Sequence, residues 1–298
     1  MGLSGSATPA RHAARALLRL RSAAGRRPPR ALAAPVALRG LVAYDGTDWA
    51  GWQRQHEAVS VAEVLEAALE EALRHPVTVR ASGRTDAGVH AEALPVAFEC
   101  GAALPVDGLR RLADMLLPPS VRLVHLEPAP ADWDPQRAAR SKLYRYRVLE
   151  TPWPAPARER TAWRLGAPLD LRAMQAAAAP LVGRHDFRAY RNDPGPERRD
   201  EDTVRTLHAL DVERRDDDEL RLDVRGDGFL YMMVRNLAAA LVEVGRGATP
   251  PSRPLALLGS GDRRLGPPPA PACGLTLCAV AYDDGFGRRP AAISPAPA

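Results

Sequence analysis

The order in which strand-like and helix-like stretches follow one another constrains the fold of this chain more than any other feature. VALRGLVAYDG (36–46) alternates, has a β-branched apolar flavour and ends in a turn, as a strand does. SVAEVLEAALEEALRH (60–75) places Val61, Val64, Leu65, Ala68, Leu69 and Leu73 on one stripe. Ser60 with Glu63 three residues on makes a capping box, so the pattern predicts a helix. VTVRAS (77–82) and ALPVAFEC (93–100) read as strands, the second despite Pro95, and PVDGLRRLADMLL (105–117) as a helix stopped by Pro118. In SKLYRYRVLE (141–150), Tyr144, Tyr146 and Val148 share one strand face while Arg145 and Arg147 share the other. DLRAMQAAAAPLVG (170–183) is helical up to Pro180. TVRTLHALDVERR and ELRLDVRGDG are two strands around an acidic turn. FLYMMVRNLAAALVEVGRG (229–247) is a long apolar helix closed by Gly245 and Gly247, and CGLTLCAVAYD (273–283) is a last strand. No regular β-α-β rhythm runs through this order. The expected class is therefore α+β with a largely antiparallel sheet flanked by helices.

Composition narrows the function classes. Hydrophobic residues make up 46% of the 298 and charged residues 26%, values of a globular protein with a core of its own. No apolar run approaches the ~18 residues a membrane-spanning helix needs. Cys100, Cys273 and Cys278 are too few for a disulfide framework and read as small buried hydrophobes. The net charge of +5 is unevenly placed: residues 1–39 hold eight arginines and no acid. Without them 33 basic residues face 36 acidic ones, a balance of −3, so an RNA surface on the body must be a local patch.

Residues 1–35 form an Arg/Ala-rich leader with the composition of a mitochondrial or plastid transit peptide. A basic arm that stays attached, in a cytoplasmic protein, is the alternative. Residues 36–284 are the body, read as roughly two subdomains, 36–150 and 151–284, with no low-complexity linker cleanly separating them. Residues 285–298 read as a disordered tail.

The phosphate-loop, dinucleotide, zinc-protease and C-x-x-C signatures are absent, and the histidines lack ligand spacing. The sequence therefore offers no cofactor and no metal. Three other features carry chemistry. Asp86 lies in ASGRTDAGVHA, where Gly83 and Gly88 permit positive φ and close approach of a ligand. An Asx-type turn is the competing reading, and on spacing alone the better one. Arg235 sits inside an apolar helix, where a guanidinium is costly unless a carboxylate pairs with it or it lies on a solvent-facing edge. Tyr144 is an aromatic among arginines on a strand, able to stack on a base, although a core tyrosine is the commoner case.

Taken together, these stretches resemble the TruA family of tRNA pseudouridine synthases, in its bacterial-type branch. GRTDAGVHA is similar to that family's active-site motif, AYDGTDWAGWQRQ to its first strand and loop, and RAARSKLYRYRV to the segment with the substrate-contacting tyrosine. LVGRHDFRAYR, VRTLHAL, FLYMMVRNLAAALVEVG and PACGLTLCAVAY follow in the family's order, from about Leu38 to Tyr282. The resemblance implies a pseudouridine synthase fold with an active-site cleft across the middle. Asp86 matches the catalytic nucleophile, and Arg84 the motif arginine that helps hold the target nucleotide flipped out. Tyr144 matches the tyrosine stacked on the uracil, and Arg235 the partner of the catalytic carboxylate. Leu275 matches a residue packed under the site, and Arg54 of the GWQRQ loop is a further candidate for phosphate. The implied partners are tRNA, at the anticodon stem-loop (positions 38–40 of the tRNA), and a second copy of the chain in a homodimer. Three positions depart from the family pattern without touching the catalytic set: the DWDPQRAAR setting of Arg137, Ala239 for a common Gly, and Ala189 for a common Ser. An RNA-binding protein without turnover and a glycoside-cleaving hydrolase are the rivals; the first has no need of the acid, and the second usually wants two.

Overall fold

The computed structural model describes residue 18 and residues 35–287, apart from 56–57, 102–103, 131 and 217. The leader and tail anticipated from composition lie outside the described residues, except for Leu18, Pro35 and residues 285–287. Two compact units share the chain. One runs up to Ala139 and resumes at Ala279; the other is Arg140–Cys278.

The first unit contains β1 (Val36–Tyr44), α1 (Val61–Leu73), β2 (Arg80–Ala81), β3 (His90–Cys100), α2 (Val106–Leu116) and β4 (Val121–Pro128). β1 lies between β3 and β4, antiparallel to both, so that Leu38 faces Phe98 on one side and Pro128 on the other. The short β2 adds to β3, Ala81 opposite Val96. Pro95 is tolerated inside β3 because a proline still accepts: its carbonyl takes the Ser82 N–H at 2.9 Å. The predicted capping box on α1 is present, with the Ser60 hydroxyl accepting from the Glu63 amide and the Glu63 carboxylate from the Ser60 amide. Its stripe of Val61, Val64, Leu65, Ala68 and Leu69 is fully buried. Each such Val or Leu contributes about 1.5–3 kcal/mol of burial.

β4 escaped the sequence reading for a physical reason. The register against β1 shifts between Leu41 and Val42, so the buried positions run Val121, Leu123, then Leu126, and the bulge breaks the period of two. At the end of the chain, Arg39 pairs with Glu127 and Asp284 and lies over the Phe286 ring at 4.3 Å. Phe286 is buried by these contacts. The packed chain thus reaches past Asp284, where composition placed the start of the tail.

The second unit contains β5 (Ser141–Leu149), the one-turn α3 (Pro156–Glu159), β6 (Trp163–Arg164), α4 (Leu171–Ala178), β7 (Gly183–Asp186), β8 (Val204–Asp216), β9 (Glu219–Gly226), α5 (Met233–Gly245), α6 (Arg253–Ser260) and β10 (Leu275–Ala281), which crosses the unit boundary. Strands β5, β9, β8 and β7 are neighbours in that order and antiparallel; β6 runs parallel to the end of β5. β5 pairs with β9 along its whole length, Lys142 opposite Gly226 through Leu149 opposite Glu219. That pairing keeps the whole of β5 in the second unit, which begins at Arg140.

The two faces of β5 separate as the alternation predicts. Tyr146 and Val148 are buried with Leu220, Leu222 and Val224. On the other face Arg145 makes a bidentate pair with Asp223, and Arg147 with Glu219. α4 packs on α5 and β8. α5 begins four residues later than its apolar run suggests: Met232 takes a left-handed conformation, φ 59°, and holds Phe229–Met232 out of the helix.

Candidate active site

In the first unit, Asp86 lies half-buried in the irregular segment between β2 and β3. Its backbone is pinned from both sides. The Thr85 carbonyl accepts from the Trp52 amide at 3.1 Å, and the Gly88 amide donates to the Trp49 carbonyl at 3.4 Å. A tight turn closes on Asp86 itself, whose carbonyl accepts from Val89 at 3.1 Å. The buried Thr85 hydroxyl and the Tyr44 phenol share a 2.8 Å hydrogen bond. Gly88 has φ +81°, whereas Gly83 is not among the glycines of positive φ, so only one of the two glycines uses the freedom expected of it.

The decisive glycines are elsewhere. A Cβ on Gly51, where φ is +88°, would stand 2.5 Å from the Thr85 carbonyl oxygen and 3.0 Å from the Asp86 carbonyl carbon. A Cβ on Gly46 would stand 2.0 Å from the Val89 carbonyl oxygen. The loop after β1 therefore presses its backbone against both ends of the Asp86 turn, and only glycine permits that approach. The Gly46 amide donates to His90 Nδ1 at 3.0 Å, which ties the same loop to the start of β3. The sequence signal was present in DGTDWAGW, but nothing local says which backbone those glycines meet.

Arg84 is exposed beside Asp86. Arg54 is bound to Glu66 of α1, with Glu63 at 3.9 Å. Glu66 also accepts from the Val79 amide at 3.0 Å. The structure thus gives Arg54 a carboxylate partner that anchors its loop to α1.

In the second unit, three stretches converge. Tyr144 is half-buried on β5, and the Phe229 ring meets it edge-on, centroids 5.2 Å apart and planes at 88°. Phe229 is placed by the RGDGF turn. Asp227 exchanges hydrogen bonds with Thr206, and a Cβ on Gly226 would come within 3.3 Å of the Phe229 ring. Phe229 was missed in the sequence because it looks like the first turn of a helix.

Arg235 is half-buried on α5; its Nε donates to the Ala270 carbonyl at 2.7 Å, and its own carbonyl accepts from the Ala270 amide at 3.2 Å. The neighbouring Asn236 is buried rather than on a solvent edge. It donates to the Tyr190 carbonyl and to Asn192, and accepts from Arg263. From Ala270 the chain runs beneath β5. Tyr146 donates to the Pro271 carbonyl at 2.7 Å, and a Cβ on Gly274 would overlap the Tyr146 ring at 2.5 Å. Burial holds the Tyr146 phenol well above its usual pKa, so it stays a donor. Leu275 follows as the first residue of β10 and is buried. The structure so brings the Tyr144 strand, the Arg235 helix and the Leu275 turn to one place. At the start of β5, burial and the nearby Arg205 pull the Lys142 ammonium down to about 8.

The family model described as tRNA pseudouridine synthase matches residues 177–283, a span that holds Arg235 and Leu275 but neither Asp86 nor Tyr144. The wider resemblance is to whole proteins. "tRNA pseudouridine synthase A" of Myxococcus xanthus is 42% identical over 246 residues, covering 83% of this chain and 92% of that one. The chain belongs to the tRNA pseudouridine synthase family. The protein of the same name from Pelobacter propionicus is 40% identical over 81% of this chain and 97% of its own. That from Frankia casuarinae is 41% identical over 83% and 89%. In this member of the pseudouridine synthases the predicted site residues fall in two groups. Asp86, Arg84 and Arg54 belong to the first unit; Tyr144, Arg235 and Leu275 belong to the second.

Proposed function

We propose that this protein isomerises uridine to pseudouridine in tRNA, at the anticodon stem-loop, with Asp86 as the catalytic group. The observation that carries the reading is the rigid presentation of Asp86: two backbone hydrogen bonds and two glycine contacts fix the backbone that carries its carboxylate, in a loop with no regular structure. Such pinning is the preorganisation a nucleophile needs.

In the reaction the C1′–N1 bond breaks, the uracil turns, and C5 bonds to C1′. The C5 proton is lost and N1 gains one, so product and substrate are isomers and no cofactor is consumed. The ionised Asp86 meets the electron-poor centre created when the glycosidic bond opens. Tyr144, braced edge-on by Phe229, offers a flat face to the extruded base, and extrusion costs a few kcal/mol of stacking. Arg84 contributes a phosphate contact. Arg235 is proposed as the cation that keeps the Asp86 carboxylate ionised. Its Nε donates to the Ala270 carbonyl, which fixes the guanidinium on α5, and a guanidinium is the cation best matched to a carboxylate. Two further parts of the proposal rest on sequence: residues 1–35 as an organelle-targeting segment, and the working form as a homodimer.

The test is a carbodiimide primer-extension map of tRNA incubated with wild type and Asp86→Ala. The wild type is expected to produce stops at the anticodon stem-loop; the variant is expected to bind tRNA and produce none. Pseudouridine made by the variant would remove Asp86 from the mechanism.

A further inference from the structure

The segment GDRRLGPPPA (261–270) leaves α6 and ends on Ala270, which binds Arg235 twice. The Ala270 carbonyl accepts from Arg235 Nε at 2.7 Å, and the Ala270 amide donates to the Arg235 carbonyl at 3.2 Å. The other end of this segment is held by Arg263. Its Nη2 donates to the Pro267 carbonyl at 2.6 Å and to Asn236 Oδ1 at 2.8 Å, and its Nε donates to Asn192 Oδ1 at 3.0 Å. Gly266 lets the chain fold back onto the guanidinium, since a Cβ there would stand 2.8 Å from Nη1. Pro268 and Pro269 separate Pro267 from Ala270, so rings in succession fix φ along this stretch. A position imposed on Pro267 is therefore carried to Ala270 with little slack, as along a stiff strut.

The same guanidinium grips the first turn of α5. Asn236, the neighbour of Arg235, is buried, and its amide donates to the Tyr190 carbonyl at 2.8 Å and to Asn192 Oδ1 at 3.0 Å. Asn192 donates its backbone N–H to the Tyr231 carbonyl at 3.2 Å, just ahead of the helix. One side chain thus joins the start of α5 to the strut that ends on Arg235. All three of its acceptors are neutral oxygens, and among the described residues no carboxylate pairs with it. What the site uses is the planar fork, whose Nε and Nη2 reach separate segments at once. A lysine, with one nitrogen on a flexible stem, does not reproduce that span.

We propose that Arg263 is a positioning residue for Arg235, acting through Asn236 on one side and the Pro267–Ala270 strut on the other. The inference rests on the pseudouridine synthase reading, in which Arg235 serves the catalytic carboxylate, and adds to it the group that sets where Arg235 stands.

The test is steady-state pseudouridine formation on tRNA, at a temperature where circular dichroism shows each variant folded. Arg263→Gln and Arg263→Lys are each expected to lower kcat about tenfold with KM for tRNA within about twofold, the split of lost positioning rather than lost RNA contact. Pro268→Gly, at an exposed proline, loosens the strut without touching the network and is expected to lower kcat about threefold. Arg235→Lys removes the Nε contact with Ala270; adding Arg263→Gln to it is expected to change the remaining kcat by less than about twofold. A full further loss in that background overturns the proposal, because a residue acting through Arg235 has nothing left to act on. A rise in KM that Arg263→Lys restores overturns it too, since that marks a phosphate contact. So does wild-type kcat in both Arg263→Lys and Pro268→Gly, the pair that decides if Arg263→Gln fails to fold. Wild-type protein that makes no pseudouridine would instead sink the functional reading, so the two failures are distinct.

Discussion

At the scale of single residues, the site depends on what is missing as much as on what is present. Asp86 is conspicuous in the sequence, but its position is enforced by Gly51 and Gly46, more than thirty residues upstream. Gly51→Ala combines a left-handed backbone with a contact of 2.5 Å to a carbonyl oxygen. It should cost about 2–4 kcal/mol, read as a drop in the urea midpoint. Activity measured at full folding should fall as well, because the relaxation moves Thr85 and Asp86. An active, equally stable variant would show that the loop contact has no bearing on catalysis. Lys142 supplies a residue-scale pH effect. Its folded pKa of about 8 lies below the ordinary 10.5, so the unfolded chain binds the extra proton between those values. The cost is present in full below pH 8 and is relieved as pH rises towards 10.5. Lys142→Met should therefore gain of order 1–2 kcal/mol over wild type near pH 7, after allowance for partial solvent screening, and little near pH 10. Denaturant titrations at both pH values check the sign.

At the scale of elements, local chemistry set the boundaries wherever a cap or a stop was available. The box at Ser60 and Glu63 starts α1, and Pro118 follows the end of α2. Ser60→Ala removes a fully buried cap and should cost about 1 kcal/mol without changing turnover at 25 °C, checked by thermal melting beside a steady-state assay. Other boundaries were not local. β4 was hidden because its bulge interrupts the alternation, and the start of α5 because apolarity does not reveal a left-handed Met232. The strand faces of β5 were legible, since a period of two depends on the residue order alone. Which partner strand would receive Tyr144 was not, because pairing is decided by contacts about 80 residues away.

At the scale of the whole molecule, the chain divides into two units, and the first boundary falls at Ala139/Arg140, ahead of β5. Strand pairing, not a linker, defines that limit. The same holds at the C-terminal end. Arg39 draws Asp284 and Phe286 into the first unit through an ion pair and a ring contact that no composition count reveals.

The sequence by itself determined the class of fold, the helix caps, the alternating faces of β5 and, through a run of ordered motifs, the family and the candidate residues Asp86, Tyr144 and Arg235. These follow from periodicity and short-range chemistry, which act within a few residues. Only the tertiary structure decided that Gly46 and Gly51 clamp the Asp86 turn, that Arg54 pairs with Glu66, that Phe229 braces Tyr144, and that Gly226 leaves room for the Phe229 ring. Each of these depends on steric or electrostatic contact between segments distant in the chain, and such contacts exist only once the backbone has folded.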